Sequence, residues 1–148
     1  MHEGVKCFKA DLFLGCVALL GRASEGAWIH LGVALATVIS DKPKSERLSN
    51  AMQDPFLSIT KKIALVISAY EERSVFREIY KISGCAANEL KRISVWADAV
   101  RDSRNAIHFG AAPAMENTYD KIAALLIGAV PSIKAIYSII EACHAENA

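Results

Sequence analysis

Residues 86–110 read AANELKRISVWADAVRDSRNAIHFG, and they combine a helical pattern with a dense cluster of polar side chains. Apolar residues recur on one side of a helix at 100° per residue, as expected of a stripe that faces a core: Ile93, Trp96, Val100 and Ile107. Gly110 then stands where glycine commonly ends a helix. The stretch therefore predicts a helix over residues 86–109 that packs against other helices.

The segments on either side repeat apolar residues at spacings of three and four. They span residues 5–39, 48–82 and 114–143. Asp54-Pro55 is a typical helix start, so the middle segment is predicted to break there and to begin a new helix at Pro55. No alternating strand pattern is present. The sequence thus predicts a single domain over residues 1–148, folded as an all-α, compact bundle of four to five helices.

Polar residues mark the expected boundaries of these segments. Residues 40–44, Ser-Asp-Lys-Pro-Lys, are interpreted as the loop that follows the first helix. Residues 71–73, Glu-Glu-Arg, are interpreted as a solvated helix face, and Ser83-Gly84 as the end of the second segment.

Composition favours an oligomer over a membrane protein. The chain is 53% hydrophobic and has a mean hydropathy of +0.24, which is high for 148 residues. None of the longest uncharged runs reaches the roughly 18–20 residues of a spanning helix, and the N-terminus lacks the pattern of a signal peptide. We therefore expect a cytoplasmic protein without membrane contact, whose apolar surplus lies in a subunit interface.

Charge and cysteine spacing narrow the function further. A formal net charge of +1 argues against a broad nucleic-acid-binding surface but leaves room for a local basic groove. The four cysteines have no metal-ligand spacing and are interpreted as reduced, buried thiols. No metal-binding motif and no glycine-rich phosphate loop is present, so neither a metal nor another cofactor is expected.

Glu25 has two interpretations. It lies among small residues on the first predicted helix, three positions after Arg22. The simpler interpretation is an ion pair with Arg22 on the helix surface. The alternative is a buried carboxylate that orients a cation on another helix.

The polar side chains of residues 101–108 share one face of the predicted helix. His108 returns to within about 20° of Arg101 after seven residues, and Asn105 lies between them with Arg104 beside the line. An imidazole can exchange protons with a ribose hydroxyl or a leaving oxygen, and a guanidinium can hold a phosphate. The Asp102 carboxylate could hold an arginine or His108 in place. The cluster could thus support phosphodiester transfer, although cationic and amide residues are also ordinary at a helix end.

Arg101-Asp102, five further residues and His108 resemble the signature of the HEPN superfamily, in which an arginine and a polar residue precede a histidine. Residues 104–110 also resemble the helix ends of bacterial HEPN-like proteins. The resemblance implies a four- or five-helix bundle that dimerises with two motifs facing one cleft. It also implies metal-independent endoribonuclease activity, often in toxin–antitoxin, CRISPR or phage-defence systems.

Transferred to this chain, the resemblance makes Arg101 and His108 catalytic and Asp102 their supporting polar residue. Arg104 and Asn105 are added as substrate-binding candidates from helix geometry alone. RNA, a second copy of the chain and a cognate antitoxin or other protein are the expected partners. In the HEPN toxins that are paired with nucleotidyltransferase antitoxins, a tyrosine follows closely after the histidine. Here Phe109-Gly110 follow His108, so the chain departs from that group of toxins.

Two non-enzymatic hypotheses stay open beside the ribonuclease. The main one is a helical interaction or regulatory module of the HEPN-like type, with its polar stripe occupied by intramolecular hydrogen bonds. The other is a bundle that binds a small molecule or nucleotide, for which no anchoring motif is present.

Overall fold

The computed structural model describes residues 2–105 and 118–146. Within these ranges the chain forms seven α-helices and no strand, which confirms the all-α class. The helices are α1 (His2–Lys9), α2 (Phe13–Val38), α3 (Lys42–Gln53), α4 (Ile59–Tyr70), α5 (Arg73–Ser83), α6 (Ala87–Asn105) and α7 (Tyr119–Glu146). The expected count of four to five helices is wrong, because the chain breaks at two places where a continuous helix was predicted.

The first unexpected break separates α1 from α2. Asp11 adopts a left-handed backbone conformation with φ of 56°, and the Leu12 N–H donates to the Cys7 carbonyl at 2.8 Å. This turn ends the helix after Lys9, whereas the sequence predicted one helix from Val5 to Ile39. From Phe13 onward, α2 is continuous through Gly21 to Val38.

The second unexpected break lies at Glu71 and Glu72, between α4 and α5. These residues were predicted to form a solvated helix face. Instead Glu72 has an extended conformation and its carbonyl begins the hydrogen bonds of α5. The end of α5 agrees with the prediction, since Gly84 is left-handed with φ of 66° and its N–H donates to Tyr80.

The connections around α3 agree in part with the sequence. The loop expected over residues 40–44 is shorter, because Asp41 caps α3 and Pro43 lies in its first turn. The break at Asp54-Pro55 is confirmed, but α4 does not begin at Pro55. The Asp54 carboxylate accepts the Phe56 N–H at 2.8 Å and forms a turn, and Ser58 caps a helix that begins at Ile59.

The centre of the molecule is α2, which contacts α1, α3, α4, α6 and α7. Its largest fully buried side chains are Trp28, Leu31 and Leu35. Burying a side chain of this kind contributes about 1.5–3 kcal/mol. Gly32 permits the close approach of α3, because a Cβ there would lie 2.3 Å from the Met52 sulfur. Gly32 therefore serves close helix packing.

The last helix, α7, is long and apolar enough to cross a membrane by length and composition alone. Its most apolar 18-residue window has a mean hydropathy of 1.8, and a third of it is buried against the other helices. In the described structure α7 packs on α2, α5 and α6. Trp96 of α6 donates to the Leu125 carbonyl at 3.1 Å and lies against Gly128. The described helix therefore has packing partners along part of its apolar length.

Candidate functional site

Four of the five predicted site residues lie in the last two turns of the described part of α6. Arg101 and Arg104 are partly buried, whereas Asp102 and Asn105 are exposed. His108 lies outside the described residues, so its position relative to Arg101 stays a prediction. Val100 and Ser103 are buried and hold this part of α6 against the bundle, which leaves the flanking side chains near the surface.

Arg101 is bound by three side chains. Its Nη1 donates to Asp98 Oδ1 at 2.7 Å and to the Thr60 hydroxyl, and its Nη2 donates to Asp102 Oδ1 at 3.3 Å. Thr60 belongs to α4, so this contact joins two helices. Because the Arg101 side chain is 25% exposed and that of Asp102 is 71% exposed, the Asp102 contact is the weakest of the three. The guanidinium thus has a defined orientation at the α4–α6 junction.

Beneath Arg101 lies a small cleft between α2, α4 and α6. Its walls include Gly21, Ser24, Glu25, Ile59 and Asp98. Its volume of about 10 Å³ is close to the minimum that holds one water molecule. A nucleotide cannot enter this space. Any larger ligand must therefore bind at the rim, where Arg101 and Asp102 reach solvent.

Arg104 forms an ion pair with Glu25 on α2. Its Nη1 lies 2.6 Å from Glu25 Oε1, and the two side chains are 30% and 26% exposed. Gly21, one turn before Glu25, makes room for the arginine, since a Cβ there would lie 3.1 Å from Arg104 Cδ. The contact supports the second interpretation of Glu25, since the carboxylate orients a cation on another helix, although Glu25 is partly exposed and not buried. Arg22, the other candidate partner, is exposed.

The described residues show no cluster of metal-ligating side chains, and burial protects two of the thiols. Within residues 2–105 and 118–146, no group of three histidine, cysteine or acidic side chains could hold a metal ion. The four cysteines are free thiols; Cys16, Cys85 and Cys143 are buried as expected, whereas Cys7 is only partly buried. Burial raises the pKa of Cys85 to about 11 and that of Cys143 to about 12, so these thiols stay protonated and unreactive near neutral pH.

The sequence did not identify two residues that build the site. Thr60 is 41 positions from its partner Arg101, and an exposed threonine in a helix carries no signal of such a contact. Gly21 is one of the small residues around Glu25, and the sequence predicted no contact between it and Arg104. Four positions separate it from Glu25, so both lie on one face of α2, and that spacing was the available signal.

No family model, no curated protein and no solved structure gives a significant match to this chain. Function is therefore inferred from the α6 side chains and from the residues of α2 and α4 that hold them.

Proposed function

We propose that this chain is a HEPN-like, metal-independent endoribonuclease whose site is completed at a homodimer interface. The observation that carries the proposal is the pair of arginines on α6. Arg101 and Arg104 are three residues apart, and acidic side chains on α6 and α2 fix both guanidinium groups. Arg101 lines the small cleft, and Arg104 is paired with Glu25 of the cleft wall. Guanidinium groups held in place before substrate binds can stabilise charge that develops on a phosphate.

In the proposed reaction His108, Arg101 and Asp102 have different roles. The ribose 2′-oxygen attacks the adjacent phosphorus while its proton passes to a base, the bond to the 5′-oxygen breaks, and that oxygen takes up a proton. His108 of one subunit, or of each, exchanges these protons. Arg101 binds the phosphate oxygens, and Asp102 orients Arg101 until the phosphate takes its place on Nη2. The products are a 2′,3′-cyclic phosphate and a 5′-hydroxyl.

The weak Asp102 contact lets a phosphate reach Arg101. An exposed ion pair contributes about 0–1 kcal/mol, so a phosphate oxygen can replace Asp102 on Nη2 at little cost. The stronger contacts to Asp98 and Thr60 would keep the guanidinium oriented during that exchange. Arg104 and Asn105 would contact the substrate one turn further along α6.

The narrow cleft favours a site shared by two subunits. One copy offers only a rim around Arg101, and a second copy would supply the opposite wall and a second set of side chains. Apolar side chains that remain exposed on α6 and α7, Val95 and Ile127 among them, are consistent with self-association. The proposed role is that of a cytoplasmic toxin or defence effector, restrained by an antitoxin or another partner protein.

Incubation of purified full-length protein with total RNA in EDTA tests the proposal. Arg101→Ala and His108→Ala should each lower the cleavage rate by about 10²-fold or more, since loss of a charge-stabilising donor or a proton-transfer group has that effect. Matched controls are Arg92→Ala, an exposed arginine on the same helix, and His30→Ala, an exposed histidine on α2. Cleavage that survives both site variants, or no cleavage by the unaltered protein, would overturn the proposal.

A non-catalytic interaction module of the HEPN-like type is the second candidate. The contacts of Arg101 favour it, because both terminal nitrogens of the guanidinium already have partners in the same chain. In that case the polar residues of α6 would stabilise the bundle and its assembly. It predicts that the protein self-associates, leaves RNA intact, and is destabilised by Arg101→Ala.

A further inference from the structure

Phe56 is the most exposed large apolar side chain in the described structure. It is 96% exposed and lies in the turn between α3 and α4. A phenylalanine side chain carries a large apolar surface, and leaving all of it in water forgoes stabilisation that burial would provide. Such an exposed ring is therefore more consistent with a role in binding another molecule than with a role in stabilising the fold.

The backbone of the turn that carries this ring is held by defined contacts. Pro55 restricts the backbone, and the Asp54 carboxylate accepts the Phe56 N–H at 2.8 Å. Behind the turn, the buried Lys62 ammonium of α4 donates to the Met52 carbonyl near the end of α3 at 2.9 Å. These contacts fix the ends of the two helices relative to each other. The ring is thus presented by an ordered segment.

The same segment leads directly to the proposed site. Thr60 follows Phe56 by four residues and accepts a hydrogen bond from Arg101. Four residues span at most about 14 Å of chain, so the ring and the guanidinium lie within the reach of a short oligonucleotide. Lys61, the residue after Thr60 on α4, is exposed and adds a cation to this end of the helix. An aromatic ring and cations side by side are the elements that bind single-stranded nucleic acid.

We propose that Phe56 stacks on a base of single-stranded RNA bound at the Arg101 rim. This inference rests on the proposed function and deepens it, because it names a residue outside α6 that positions the strand. Bases in a duplex have their faces covered by neighbouring bases, whereas an unpaired base can stack on a side chain. Phe56 is a positioning residue, since it binds the strand and does not touch the reacting phosphate.

Two measurements test the assignment on the full-length protein. In the variant Phe56→Trp, a short single-stranded RNA should quench the added indole fluorescence, and the same sequence as a duplex should not. In Phe56→Ala, the affinity for the single strand should fall roughly 5- to 140-fold, as loss of one stacking contact predicts. The cleavage rate at saturating RNA should stay unchanged, and Phe56→Tyr should retain affinity. Tyr137→Ala, which removes another exposed aromatic side chain on α7, is the control.

The outcomes separate this inference from the proposed function. If the unaltered protein cleaves RNA and Phe56→Ala binds and cleaves equally well, the stacking assignment is wrong and the ribonuclease proposal stands. Loss of self-association in Phe56→Ala, with RNA affinity retained, would show a protein-binding residue and would also overturn the assignment. If the unaltered protein neither binds nor cleaves RNA, both proposals fail together.

Discussion

The ion pair between Arg104 and Glu25 allows a quantitative test of how α6 is held on α2. Coulomb's law at 2.6 Å gives about 6 kcal/mol at an effective dielectric constant of about 20, and about 1.6 kcal/mol in bulk water. Desolvation and side-chain ordering reduce exposed pairs to about 0–1 kcal/mol, whereas removing one partner of a buried pair costs about 3–5 kcal/mol. Because a quarter to a third of each side chain is exposed, we expect a coupling energy of about 1–2 kcal/mol.

A double-mutant cycle measures this coupling directly. The free energy of unfolding in urea is compared for the unaltered protein, Glu25→Ala, Arg104→Ala and the double variant. Each single variant should be less stable, and the double variant should lose less than the sum of the two single losses. The exposed neighbour Arg22 provides the control, since Arg22→Ala should change stability by no more than about 0.5 kcal/mol.

Strict additivity in that cycle would refute the interpretation of Glu25. It would mean that the two charged groups do not stabilise each other, whatever the distance between them. The same result would remove the support that Arg104 gives to the proposed function, because an arginine without a fixed orientation is not prepared for phosphate. A coupling that disappears at high salt would instead indicate a screened surface pair.

Two further predictions concern the core. Gly32→Ala should be less stable than Gly26→Ala, although both glycines are in α2. At Gly32 the new Cβ would meet the buried Met52 sulfur, which costs about 1–3 kcal/mol. At Gly26 nothing in the described structure lies within 4 Å of the new Cβ, so alanine should stabilise the helix by up to about 1 kcal/mol. Urea unfolding of the two variants checks the order. Tyr70 donates to the Cys85 carbonyl at 2.6 Å, and burial raises the pKa of its hydroxyl to about 12. The stability that the neutral Tyr70 hydroxyl contributes is therefore complete below about pH 10 and is lost as the pH rises toward 12. Tyr70→Phe should lower the free energy of unfolding by about 1–3 kcal/mol at neutral pH. In this variant the free energy of unfolding should also fall less steeply at alkaline pH than in the unaltered protein.

Helix class and several boundaries could be predicted from local sequence because their causes are local. Apolar spacing of three and four residues follows from helix geometry, and Gly84 ends α5 through its own backbone freedom. The breaks at Asp11 and Glu71 had no such signal. An aspartate seldom adopts a left-handed conformation, and glutamates in a turn look the same in sequence as glutamates on a helix surface. Tertiary packing selects between these alternatives.

In the candidate site, too, local features could be predicted from the sequence and long-range contacts could not. The shared face of Arg101, Arg104 and Asn105 followed from helix periodicity alone. Their partners did not, since Thr60 is 41 residues from Arg101 and Glu25 is 79 residues from Arg104. Glu25 carried a partial signal, because a carboxylate among small residues is expected where another helix comes close.

The contacts of the two arginines join the proposed chemistry to the packing of the bundle. Arg101 ties α6 to α4 through Thr60, and Arg104 ties α6 to α2 through Glu25. An arginine replaced by alanine would therefore remove a tertiary contact as well as a cation, and lost cleavage alone could reflect a displaced helix. Asp102 does not have this double role, because it is largely exposed and its described ion-pair contact is to the neighbouring Arg101. It is the residue of the cluster at which an effect on RNA cleavage can be separated most directly from an effect on folding.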